Sequence, residues 1–184
     1  MRNIFLLIIL LTSCAGNPHN FKDSCHYFHE GKKYFEEHFH EDYFDEGTRE
    51  ATIVILDKAA KQGCEEYQLY YLLYTCHVWT GGNLKAIENL TKAMRIDPAE
   101  YENFLKRGQV RMKLGDLEGA TKDFLIYASY PNAENLSSAY YMVGAIYYSQ
   151  GDSLNSAKYR GMAEYLVGSL RKYDGYCRAK GLIK

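Results

Sequence analysis

The sequence predicts an all-α fold, an α-solenoid built from antiparallel helix pairs. Gly81 and Gly115 lie 34 residues apart, and Gly151 follows after another 36. Residues of matched size recur at the 34-residue interval, namely Ala86 and Ala120, then Leu90 and Phe124. A period in the mid-thirties is typical of helix–turn–helix repeats, whose copies stack to share one core. The matched positions indicate about three to four repeats.

Each repeat is predicted to consist of two helices separated by a glycine turn. In residues 101–131, apolar or small side chains recur every three to four positions, which indicates one face of a helix. Gly115 ends that helix, since glycine readily adopts the positive φ found after a helix C-terminus. A second helix begins near Leu117 and ends before Pro131, because proline cannot continue it. Gly108 and Ala120 are small enough to let the two helices approach closely.

These positions resemble the tetratricopeptide repeat (TPR). The residues that carry the resemblance are Phe104, Gly108, Gly115, Asp116, Ala120, Phe124 and Pro131. The preceding unit, residues 67–100, departs from the pattern at Tyr74, where a small residue is usual. The following unit begins near Ser137 and departs at Arg160, where an aromatic residue is usual. The resemblance implies a TPR-like superhelix that binds other proteins.

The outer parts of the chain fit the repeat less closely. Phe35, Phe39 and Tyr43 predict a first helix near residues 32–44, and residues 51–60 are its expected partner. The resulting organisation is a signal peptide (1–13), a lipidated N-terminus and tether (14–30), a degenerate first repeat (31–66), three TPR-like repeats (67–172) and a C-terminal tail (173–184). The tail is either frayed or a short cap. The last repeat is expected to present a polar outward side, as terminal repeats do.

The first residues resemble a bacterial lipoprotein signal peptide. Arg2 precedes the apolar run Ile4–Leu11, which is too short to cross a bilayer about 30 Å thick. The run ends in Leu-Thr-Ser-Cys, which is similar to the lipobox and implies acylation of Cys14, for example with palmitate. Several acyl chains hold a protein stably on a membrane. Ala15 follows in place of aspartate, which favours the outer membrane and the periplasm. The alternative is an ordinary secretory signal cleaved near Ala15.

Composition argues against several classes of function. The net charge is −1 with both signs interspersed, so the electrostatic signature of a nucleic-acid-binding protein is missing. No nucleophile–base pair or phosphate-binding loop is recognisable in the sequence. We therefore expect a protein that is not an enzyme and needs no cofactor.

Histidines near the N-terminus leave open a metal-handling or enzymatic alternative. Five of the six precede residue 41: His19, His26, His29, His38 and His40. His26 and His29, with Cys25, could face a metal from one helix turn. Because the spacing is loose and aromatic residues surround these positions, no metal site is expected.

Four cysteines besides Cys14 raise the question of disulfides. Cys64 and Cys76 flank one predicted helix, about 18 Å apart at 1.5 Å per residue, whereas a disulfide needs Cα atoms within about 7 Å. Cys177 belongs to the far end of the stack. Buried free thiols are therefore expected, with Cys25–Cys64 the one pair left open.

The first helices of TPR arrays line a concave groove, and the resemblance assigns candidate binding positions there. They are Gln68, Tyr71, Thr75, Trp79, Glu102, Gln109, Met112, Lys113, Tyr141 and Tyr148. Large aromatic rings are suited to holding a peptide. The expected function is a membrane-anchored protein–protein interaction scaffold with protein partners in a bacterial cell envelope. Two other occupants of the groove are the chain's own N-terminal segment and C-terminal helix. A self-associating structural subunit is a further alternative function.

Overall fold

The computed structural model describes residues 24–39, 45–167, 171–179 and 181–182. Over these ranges the chain is helical and carries no strand. The helices are α1 (His26–His38), α2 (Glu46–Lys61), α3 (Tyr67–Trp79), α4 (Asn83–Ile96), α5 (Glu102–Lys113), α6 (Leu117–Ala128), α7 (Leu136–Ser149), α8 (Ser153–Val167) and α9 (Arg171–Ala179). Cys14, with the predicted signal and tether residues before position 24, lies outside the described residues.

The helices pack as antiparallel pairs that follow one another along the chain. α1 packs on α2, α3 on α4, α5 on α6 and α7 on α8, and the second helix of each of the first three pairs contacts the first helix of the next. This arrangement confirms the predicted all-α solenoid. Among the described residues, no helix combines the length and the apolar character needed to cross a membrane.

The turn inside each of the last three pairs depends on glycine. Gly81, Gly115 and Gly151 adopt φ values of 76°, 79° and 80°, a region that other residues rarely occupy. Asp116 and Asp152 follow two of these turns, and each accepts a hydrogen bond from the backbone N–H three residues later, at 2.9 and 3.0 Å. These carboxylates satisfy N–H groups that the start of a helix leaves unpaired.

Close contact within the α5–α6 pair depends on Gly108. A Cβ atom at this position would lie 2.7 Å from a ring carbon of Phe124. Because Phe124 is fully buried, its ring has no room to retreat. Gly108 and Phe124 occupy the positions that the repeat frame assigns to the small and the bulky residue.

Substitution of Gly108 by alanine is expected to destabilise the fold by about 1–2 kcal/mol. Overpacking against Phe124 costs about 1–3 kcal/mol, and better helix propensity recovers up to about 1 kcal/mol. Gly161→Ala in α8 is the matched control, since a Cβ there would meet no atom within 4 Å. Urea denaturation should show the control equal to or more stable than the parent. A Gly108→Ala variant as stable as the parent would contradict the packing.

The first pair differs in register from the sequence prediction. α1 begins at His26 and ends at His38, about six residues before the predicted bounds. The small residue is Gly31, where a Cβ would lie 2.7 Å from a methyl carbon of Leu56. The chain uses residues 39–45 between α1 and α2, whereas the later pairs use three-residue turns. This longer connection displaces α1 from the 34-residue frame. His40 and Tyr43 lie outside the described residues.

A disulfide joins Cys25 to Cys64, with Cα atoms 4.9 Å apart. It links the start of α1 to the connection between α2 and α3. The pair that the sequence analysis left open is therefore bonded, because the shifted register of α1 brings Cys25 next to Cys64. Cys76 and Cys177 are free and buried, as expected.

The C-terminal tail and the outward side of α8 differ in part from the sequence prediction. The predicted tail contains most of α9, which begins at Arg171 and packs on α7, so it is a short cap. The expected polar outward side of α8 is wrong in part, since Leu154 and Tyr165 are 82% and 91% exposed.

Candidate binding groove on the first helices

The candidate groove is the face formed by the first helices, α1, α3, α5 and α7. All ten predicted residues lie on α3, α5 and α7. The 34-residue spacing assigned no groove residue to α1, because α1 does not follow that spacing. The predicted residues on α3 lie on an open part of this face, and those on α5 have mixed surroundings. On α7 the chain itself covers Tyr141 and leaves Tyr148 accessible.

Three tyrosines form a continuous aromatic surface on α3. The Tyr71 ring lies 5.7 Å from those of both Tyr67 and Tyr74. Thr75 donates a hydrogen bond from Oγ1 to the Tyr71 carbonyl at 3.0 Å. Burial raises the pKa of Tyr71 and raises that of Tyr74 to about 12, so both phenols are neutral at physiological pH. They therefore present amphipathic rings without charge.

A pocket of about 200 Å³ opens between α1 and α3. Its lining residues are Lys32, Phe35, Glu36, Gln68, Tyr71 and Leu72. Lys32 donates a hydrogen bond from Nζ to Oε1 of Gln68 at 2.8 Å, which ties the two helices together at its rim. The sequence frame found Gln68 and Tyr71 but missed the α1 wall, although the spacing of Phe35 and Phe39 was visible.

On α5 the four predicted positions have different surroundings. Glu102 accepts a hydrogen bond from the Tyr127 hydroxyl at 2.8 Å, Gln109 is half-buried and Lys113 is exposed. Met112 is 7% exposed and belongs to the hydrophobic core. Its assignment to the groove is therefore wrong, because its side chain packs inward.

A neighbouring cation extends the surface toward α5. The Lys106 Nζ lies 5.9 Å from the centre of the Tyr71 ring, within the range of a cation–π contact. The repeat pattern did not assign Lys106 to the groove, since it lies between the predicted groove positions Glu102 and Gln109.

Tyr141 on α7 is fully buried beneath α9. Its hydroxyl donates to Oδ1 of Asp174 at 2.5 Å, and its ring stacks on Tyr173 at 5.0 Å. Arg160, the residue that departs from the TPR pattern, lies over the Tyr141 ring at 5.0 Å and pairs with Asp174 at 3.2 Å. The assignment of Tyr141 as a binding residue is therefore wrong, because the C-terminal helix occupies this part of the groove.

Trp79 and Tyr148 lie at the C-terminal ends of α3 and α7, where they are 50% and 46% exposed. Tyr148 also lines a polar cavity of about 400 Å³ beside Arg160, Asp174 and Arg178. Both rings are accessible, and their role in binding stays a prediction.

The contact of α9 with Tyr141 is expected to weaken in acid. The Tyr141 hydrogen bond and the Arg160 charge hold the pKa of Asp174 below its usual value of 3.8. The stabilisation is therefore present above about pH 4 and is lost as the pH falls through the lowered pKa. NMR shifts of the α9 amides should move toward coil values as the pH falls below about 4. In Asp174→Asn that pH dependence should be missing; an unchanged titration would contradict this account.

The metal-handling alternative concerned the histidines near the N-terminus and Cys25. The described ranges contain no group of three or more His, Cys, Asp or Glu residues placed to hold a metal ion. Cys25, the thiol proposed to join His26 and His29, is consumed by the disulfide. His19 and His40 lie outside the described residues.

Comparison with known proteins identifies the fold. No family model matches the chain, and no curated protein matches it either. A crystal structure of MamA aligns with a TM-score of 0.61 and 19% identity, over 85% of this chain and 81% of that one. A second MamA structure gives 0.62 and 20%, over 82% and 76%. YrrB, described as a TPR protein with an unusual peptide-binding site, gives 0.64 and 18%, over 80% and 70%. The chain therefore has a TPR-like solenoid fold.

Proposed function

We propose that this protein is a lipid-anchored interaction scaffold of a bacterial cell envelope, without enzymatic activity, and that its open groove binds a peptide segment of a protein partner. The observation that carries the proposal is the pocket between α1 and α3. It lies on the same face as the α3 tyrosines, and α9 leaves this end of the groove open. The peptide-binding site named for the similar protein YrrB supports the same use of the fold.

The chemistry of the pocket suits one large apolar side chain of an extended peptide. Phe35, Tyr71 and Leu72 provide apolar walls, while Lys32 and Gln68 provide polar atoms at the rim. Interfaces of this kind derive most of their affinity from a few aromatic anchors set in pockets. Backbone groups of the peptide would find hydrogen-bonding partners at the rim.

The location in the envelope rests on the lipobox-like residues ending at Cys14. The Cys25–Cys64 disulfide supports export, because disulfides persist in oxidising compartments such as the periplasm and are rare in the cytosol. Mass spectrometry of the mature N-terminus tests this part of the proposal. The expected result is an acylated Cys14, and a mature chain without acyl groups would contradict it.

The groove itself is tested by crosslinking and affinity purification from native membranes. Tyr71→Ala and Trp79→Ala should each weaken partner binding by on the order of 2 kcal/mol, which is about thirtyfold. Ile126→Ala is the control, since Ile126 is 41% exposed on α6, outside the first-helix face. Unchanged capture by both groove variants would contradict the assignment. Light scattering over a range of concentrations tests the self-association alternative.

A further inference from the structure

The C-terminal end of α8 exposes a cluster of large apolar side chains. Tyr165 is 91% exposed, Leu166 47%, Met162 37% and Val167 36%. The cluster borders an open, mainly apolar cavity of about 520 Å³ between α7 and α8, which Leu136 and Tyr140 also line. We call these six residues the α8 patch. Contiguous exposed apolar side chains mark interaction sites, whereas single exposed ones are ordinary.

The corresponding place differs between the two preceding helix pairs. In the α5–α6 pair, Tyr130 stacks on Tyr101 at 4.9 Å and covers the opening. In the α3–α4 pair, the Lys92 Nζ lies 5.6 Å from the Tyr70 ring centre. Met162 corresponds to Lys92, since each residue lies eleven positions after the turn glycine of its own helix pair. In the α5–α6 pair the corresponding residue is Ile126, which is apolar and 41% exposed. The last repeat therefore differs from the α3–α4 pair in having an apolar residue here, and it is the terminal one, where a polar surface is expected.

The α8 patch lies on the edge of the solenoid from which the tether departs. Because the pairs are antiparallel, the C-terminal ends of the second helices alternate with the N-terminal ends of the first helices. The start of α1 belongs to that edge, and its disulfide to Cys64 fixes it beside the α2–α3 connection. Eleven residue steps separate Cys14 from Cys25, which extend at most about 40 Å. The opposite edge, with Trp79 and Leu154, is one helix length further away, about 20 Å.

From this placement we propose that the α8 patch contacts the surface of the lipid bilayer, so that the solenoid lies with this edge against the membrane and its groove to one side. The inference rests on the proposed acylation of Cys14. Tyr165 suits an interface, because its ring is apolar and its hydroxyl stays in water. Lys158 at the cavity wall has a long apolar stem that can lie along the patch while its amine reaches the headgroups. Apolar area rather than net charge provides the contact, so salt should change it little.

Fluorescence quenching in vesicles tests the orientation. The acylated protein is reconstituted into phosphatidylethanolamine–phosphatidylglycerol vesicles that contain brominated phospholipid. Trp79 is the single tryptophan of the chain, so the parent protein reports on the far edge, and Trp79→Phe/Tyr165→Trp reports on the patch. The bromolipid should quench the patch reporter at least about twofold more than Trp79. Adding Leu166→Asp should abolish the excess, while adding Leu154→Asp, on the far edge, should not.

The outcomes separate this inference from the proposed function. An acylated protein whose two reporters are quenched equally would overturn the orientation and leave the scaffold proposal intact. A blue shift of the patch reporter that depends on protein concentration without lipid would identify a second copy of the chain as the occupant instead. A mature chain found unacylated by mass spectrometry would remove both proposals.

Discussion

Reduction of the Cys25–Cys64 disulfide is expected to destabilise the protein by about 2–4 kcal/mol. The bond closes a segment of 39 residues, and loop-closure entropy for that length corresponds to about 4 kcal/mol at most. The effect should concentrate in α1, because the disulfide holds the start of this helix. In addition, α1 belongs to the first helix pair, which has a neighbouring pair on one side only. Urea denaturation with and without reductant measures the difference.

The remaining cysteines provide the control for this experiment. Cys76 and Cys177 are buried, and burial raises the pKa of their thiols to about 12 and about 11. They should resist alkylation in the native protein and react only after unfolding. The double variant Cys25→Ser/Cys64→Ser should lose its sensitivity to reductant. Alkylation of Cys25 or Cys64 in the non-reduced protein would contradict the pairing.

Replacement of Phe124 by alanine is expected to cost about 3–5 kcal/mol. The Phe124 side chain extends from α6 and is fully buried against Gly108 of α5. Its truncation leaves a cavity in addition to the lost apolar burial. Thermal and urea unfolding measure the loss. Because Phe124 belongs to the core cluster that α5 to α9 share, the loss should appear in the unfolding of that part of the array.

Ile126→Ala on the same helix is the matched control for Phe124→Ala. Ile126 is 41% exposed, so its truncation should cost less than about 1 kcal/mol. Equal effects of the two substitutions would contradict the repeat frame, which places Phe124 inside the core and Ile126 outside it.

The sequence was sufficient to predict the helix pairs where the same residue types recur in each repeat. Three features recur at fixed intervals in the sequence: a turn glycine with positive φ, an aspartate that caps the next helix, and a small residue opposite a bulky one. Gly108, Gly115 and Phe124 occupy the positions predicted for them. The same spacing assigned Gln68 and Tyr71 on α3 to the groove, where Gln68 is exposed and Tyr71 half-buried; their role in binding stays a prediction.

The frame failed where contacts are not periodic. The longer connection between α1 and α2 moved Gly31 and Cys25 out of register, so the disulfide and the α1 wall of the groove could not be assigned. The burial of Tyr141 depends on Asp174 and Tyr173 of α9, a helix with no counterpart in the repeat. Arg160 departs from the TPR pattern because it contacts that helix. Contacts between residues so far apart in the chain do not recur at a fixed spacing, so the sequence pattern does not reveal them.

The central claim is that the open groove receives a protein partner at the membrane. Site-specific photocrosslinking in intact cells tests it most directly, with a benzophenone amino acid placed at Tyr71 or, as control, at Ile126. The account predicts one or a few discrete crosslinked proteins from Tyr71 in the membrane fraction, and their loss when Gln68→Ala/Trp79→Ala is added. Crosslinks of equal yield from both positions, or none from Tyr71, would contradict it.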